Sequence, residues 1–161
     1  MSNRAVKVGA YSNHDIHVLD DAIAVIRNRP SMYVQSVPVS GAELARNLVG
    51  DALMLTQGRV TALQEKSWWI VACDVDWMSK VAGVAVEDLF SRIIPFPQAG
   101  ANSMHSEVLL TAFAKDVITW DHRGRRSIKG DVAVHDAMSG IIKSDPQWHR
   151  VVAFRMSRET D

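Results

Sequence analysis

Hydrophobic positions along this chain repeat in two rhythms, one with the period of a helix and one with the period of a strand. "AIAVIRN", after Asp20 and Asp21, reads as a short helix. It ends before Pro30, because the residue preceding a proline avoids the helical region. "VQSVPVSG" is a loop. Ser40 opens a second helix that reaches about Thr56, with Glu43 three positions on as the partner of a capping box. "RVTALQE" and "SWWIVACD" are rich in Val, Ile and Trp and read as two strands joined near Glu65 and Lys66. Trp68 and Trp69 must point to opposite faces of the second strand. "VAVEDLFSRI" and "HSEVLLTAFAKD" are helical, separated by the loop "IPFPQAGANS". "VITWDH" and "RRSIKGDVAV" flank Arg123 and Gly124 as a hairpin, and "QWHRVVAFRMS" is a last strand. Helices gathered around hairpins predict an α+β fold, a two-layer sandwich of helices over a largely antiparallel, mixed sheet.

Composition narrows this picture only a little. The 161 residues suit a single domain spanning 1–161, and 47% apolar content is enough for a core. Eighteen Lys and Arg offset eighteen Asp and Glu, so no global field favours nucleic acid or anionic lipid. No apolar run approaches the roughly 18 residues of a membrane helix, and "MSNRAVKVGAYSNHD" lacks a signal-peptide core. A cytoplasmic protein without membrane attachment is expected. Cys73 is the single cysteine, which excludes an internal disulfide. The six histidines show no metal-ligand spacing, and His105, Ser106 and Glu107 lack the context of a hydrolase triad. His122, Arg123, Arg125, Arg126 and Lys129 read as a solvated hairpin edge rather than a nucleic-acid patch.

"HVLDDAIAVIRNRPSMYV" resembles the start of the ATPase domain of the DNA gyrase B subunit and related type IIA topoisomerases, where a "VL…AVRKRPGMYIG" pattern occurs. Val18, Leu19, Ala24, Val25, Arg27, Arg29, Pro30, Met32 and Tyr33 fit it, and Ser31 replaces a glycine. The resemblance implies the Bergerat fold of the GHKL ATPases. It also implies that residues 1–19 form an arm, with Tyr11 and Ile16 reaching a second subunit. Arg29 and Tyr33 join them as candidate interaction residues.

In that family a helix carries a Glu that activates water and, four residues on, an Asn that binds Mg²⁺ on the phosphates. Glu43 and Asn47 in "ELARN" have this spacing, and Asp74, 27 positions after Asn47, matches the Asp that binds adenine. A second register, aligning "LVGDA" with the family's "VVDNA", instead puts Asn47 and Asp51 at the Glu and Asn positions. Ordinary roles also fit: Glu43 as a helix cap, Asp74 as a turn residue.

Other family parts are degraded. The glycines of "D-x-G-x-G" are replaced by Asp76 and Met78, with Trp77 between them. The phosphate-wrapping "GGLHGVG" corresponds to "AGANSMHS", where Gly100 is the remaining glycine. The threonine of the last strand becomes Arg150. The chain also ends where the family continues into further domains. The resemblance therefore implies a stand-alone, degenerate relative. It would act as a non-catalytic interaction or regulatory protein without a cofactor, on a gyrase, a topoisomerase or another partner, or through self-association of its arm. The alternative is a minimal Mg-ATP-binding protein with slow hydrolysis, using Glu43, Asn47 and Asp74.

Overall fold

In the computed structural model, which describes residues 21–131, 133 and 147–157, the hydrophobic rhythms resolve into four helices and five strands. Asp21 caps α1 (Ala22–Asn28) by accepting from the Ala24 amide at 3.1 Å. Ser40 caps α2 (Gly41–Leu55) by accepting from the Glu43 amide at 3.2 Å. Strands β1 (Val60–Glu65) and β2 (Trp68–Cys73) turn through Lys66 at φ 54°. There follow α3 (Val86–Ser91), α4 (Glu107–Phe113), β3 (Asp116–Asp121), β4 (Gly124–Lys129) and β5 (Arg150–Arg155). Every expected element forms, with β4 stopping at Lys129 before Gly130, whose φ is 100°.

The sheet order is β1-β2-β5-β3-β4, and every neighbouring pair is antiparallel. The last strand therefore lies in the middle, between the two hairpins. Side chains alternate across it as the pleat requires. Val71, Cys73, Val117, Val152 and Phe154 face the helices and pack with Ile26, Leu44, Leu48, Leu109 and Leu110. Trp68, Ile70, Ala72, Ile118, Trp120, Val151 and Ala153 form a second apolar cluster on the opposite face, with Trp148 against it. The expected separation of the paired tryptophans follows: Trp68 lies in this second cluster and Trp69 packs towards α2. A Cβ at Gly41 would come within 2.1 Å of the Trp69 indole nitrogen, so only glycine lets the start of α2 sit there.

Basic side chains from the last turn of α1 and from β4 have a structural role. Arg27 donates from Nε to the Ala112 carbonyl at 2.7 Å, and Lys129 donates to the carbonyls of Thr111 and Ala114 at 2.9 and 2.6 Å. Two cations thus meet the negative end of α4 and tie it to α1 and β4. No helix among the described residues is long and apolar enough to cross a membrane.

Candidate functional site

Helix α2 carries three polar side chains at intervals of four, Glu43, Asn47 and Asp51, and this spacing places them along one stripe. They meet different surroundings. Near the helix start, the Glu43 carboxylate accepts from the amides of Gln35 and Ser36, the latter at 3.1 Å, and from the Ser36 hydroxyl. Only the Ser40 half of the capping box forms, because the glutamate reaches back to the preceding loop. Burial raises the Glu43 pKa, but those hydrogen bonds, aided by Arg46, outweigh it and hold the carboxyl below its ordinary value. Asn47 is half-buried in mid-helix. Asp51, one turn further, is buried against the start of α4.

That end of α4 is shaped by residues 94–105, which fold back on themselves. Phe96 donates to the Ser103 carbonyl at 2.8 Å and His105 to the Ile94 carbonyl at 3.0 Å. Gly100 sits in the turn at φ 137°, a conformation that side chains disfavour. Phe96 stacks on the His105 ring, with centroids 4.2 Å apart and planes 10° from parallel. The Ser106 amide donates to Asp51 Oδ2 at 2.7 Å. Glu107 is fully buried and accepts from Trp77 Nε1 at 3.0 Å.

Asp51, His105 and Glu107 thereby meet, with one donor atom from each lying within 4.8 Å of the others. His105 Nδ1 and Glu107 Oε2 have no hydrogen-bond partner. Burial pushes Asp51 up to about 6 against the pull of the Ser106 hydrogen bonds. Burial, then the neighbouring Asp51 charge, pushes Glu107 up to about 7, opposed by Trp77 and, more weakly, Arg150. Burial also lowers the His105 pKa. Two carboxyls and an imidazole in a dry site can share a proton near neutral pH or hold a cation.

Beside this cluster Arg150 is 1% exposed and lies on the helix-facing side of β5. Its Nε and one terminal nitrogen each donate to Asp76 at 2.8 Å, a bidentate pair. It also reaches the Thr119 hydroxyl at 3.0 Å and Asp121 at 3.4 Å. Trp77 and Met78 are buried in the main core. Trp77, Met78 and Arg150 thus pack into the interior between the helices and β5.

The remaining sequence candidates do not converge on this cluster. Asp74 accepts from the Arg59 amide at 2.7 Å and pairs with its side chain at 3.4 Å, closing the turn from α2 into β1. The Thr56 hydroxyl, at the far end of α2, touches Cys73 Sγ at 3.8 Å. About 20 Å of helix axis therefore separates Glu43 from the neighbourhood of Asp74. Two surface depressions of about 470 Å³ each are lined by Ser67, Lys115 and Arg155, and by Val39, Gly41, Trp69 and Phe113; neither is lined by Asn47, Asp51 or Asp74. Arg29 is exposed and Tyr33 packs against the core; Tyr11 and Ile16 lie outside the described residues.

Sequence reasoning reached Asp51 only through the second register, and it set aside His105 and Glu107. Glu107 at the head of a helix reads as an ordinary first-turn acid. The available signal was its place in "SEVLLTAF", where the following positions are almost all apolar. Arg150 had a similar signal, a charge in phase with the inward positions Val152 and Phe154. No family model, curated protein or solved structure matches the chain.

Proposed function

We propose that the chain is a degenerate gyrase-B-like GHKL domain that acts as a non-catalytic interaction or regulatory protein. One observation carries the reading. In the segment that resembles the phosphate-wrapping loop, the Ser106 amide is already taken by the Asp51 carboxylate. A triphosphate would have to displace a charge-assisted hydrogen bond and then lie beside two acidic groups. The adenine side is equally occupied. Arg150 stands where the family has its threonine and is locked to Asp76, a former glycine position, while Trp77 hydrogen-bonds to Glu107.

Losing several charge-assisted hydrogen bonds at roughly 1.5–3 kcal/mol each weakens a nucleotide by orders of magnitude. Calorimetric titration with Mg-ATP is expected to show no micromolar binding. Micromolar binding that Asp74→Asn abolishes would overturn the reading. Turnover that Glu43→Gln removes while nucleotide still binds would make the chain a slow ATPase instead. The partner reading is tested by sedimentation of the full chain against a version beginning at Asp20. Loss of a dimer in the shorter chain supports an arm carrying Tyr11 and Ile16, and identical monomer masses remove it.

A further inference from the structure

We propose that Asp51, His105 and Glu107 form a buried site for one divalent first-row transition-metal cation. The inference is independent of whether the domain binds nucleotide. Three features of the cluster support it.

The first is the donor set. Two carboxylates and one imidazole suit Mn²⁺, Fe²⁺ or Zn²⁺. Ca²⁺ and Mg²⁺ prefer all-oxygen sites, and thiolate-seeking ions find no sulfur among these three groups. A metal bound at about 2.0–2.2 Å needs its donors roughly 3–3.5 Å apart. The present atoms lie within 4.8 Å of one another, so side-chain rotations that bring them about an ångström closer complete the site.

The second feature is unused bonding capacity. His105 is 3% exposed and Glu107 is 0% exposed, yet His105 Nδ1 and Glu107 Oε2 have no partner. Buried polar atoms are nearly always satisfied, so two orphans in one cluster of three residues point to a missing ligand. The other contacts serve as an outer shell. Ser106 fixes one Asp51 oxygen, Trp77 fixes Glu107 Oε1, and Phe96 stacks on the imidazole to set its plane.

The third feature is charge. Asp51 and Glu107 are buried side by side, and the nearby guanidinium of Arg150 is already bound to Asp76 and Asp121. A dication would neutralise the two remaining carboxylates where hydration cannot. Asp51 keeps 7% exposure and Ser106 8%, so the cluster lies just beneath the surface.

The test titrates the metal-stripped full chain with Mn²⁺, followed by loss of the free-ion paramagnetic resonance signal, and with Zn²⁺, followed by calorimetry. One ion per chain is expected to bind with micromolar affinity and to raise the melting temperature. Mn²⁺ binding is also expected to quench tryptophan fluorescence, because Trp77 touches a ligand. Glu107→Gln and His105→Asn are each expected to weaken binding by more than the roughly 100-fold that loss of an outer-shell partner costs. Glu107→Gln keeps the shape of the side chain and removes a buried charge, so the variant remains folded while the ion is lost. Absence of saturable binding of both ions to the parent chain would overturn the proposal. So would saturable binding that both variants retain unchanged.

Discussion

Glu43 and Glu107 are both buried glutamates near the start of a helix, yet their environments shift them in opposite directions. Glu43 receives three donors from Gln35 and Ser36, so its ionised form is the one the fold holds. Glu107 receives one donor side chain, Trp77, and faces a second acid, Asp51, so its protonated form is favoured up to about pH 7. Burial is common to both. The number of donors and the sign of the nearest charge decide the outcome. One glutamate is therefore a structural latch, and the other keeps one buried oxygen, Oε2, without a hydrogen-bond partner.

The strongest way to break this comparison is to remove each carboxylate. Glu43→Ala leaves three donors without their acceptor and is expected to cost about 2–3 kcal/mol in urea unfolding at neutral pH. Glu107→Gln of the metal-free chain is expected to leave stability unchanged or raise it by on the order of 1 kcal/mol at pH 8. Equal losses in the two variants would show that the glutamates do the same work.

A pH series sharpens the contrast. Glu107 and Asp51 hold protons in the folded state that the unfolded chain releases above its ordinary carboxylate values. These two groups should therefore withdraw several kcal/mol of stability from the metal-free chain as pH rises from about 4 to about 7, a loss that His105, with its lowered value, partly offsets. Glu43 and Asp121 have lowered values, so their stabilisation is present above the ordinary carboxylate range and is lost as pH falls through their folded values. Melting temperatures measured across pH should form a dome. Glu107→Gln should flatten its neutral side and leave its acidic side in place.

Removing single donors gives smaller effects. Trp77→Phe takes away the indole donor to Glu107 and is expected to cost about 1 kcal/mol, more at pH 8 than at pH 5 because the ionised acid is the stronger acceptor. Ser36→Ala is expected to cost about 0.5–1 kcal/mol by the same measurement, since two amides still hold Glu43. A loss in Ser36→Ala larger than that in Trp77→Phe would mean that the hydroxyl dominates the latch.

Much of the fold is legible in the sequence. The cap at Ser40, the stop before Pro30, the two hairpin turns and the alternation of Trp68 to Cys73 depend on neighbours a few residues away. Hydrogen bonding and side-chain periodicity over such distances are properties of the local chain. The central place of β5 was not written in that pattern, because any apolar strand of its length satisfies the same alternation. The candidate site was still less legible. Spacing along α2 put Glu43, Asn47 and Asp51 on one stripe, but it did not say which would meet a loop, which would stay half-buried and which would meet α4. His105 and Glu107 became neighbours of Asp51, and Arg150 of Asp76, only when distant segments closed over one interior. A charge takes its protonation and its partners from whatever donors and acids the fold brings within a few ångströms, and those come from parts of the chain that no local pattern relates.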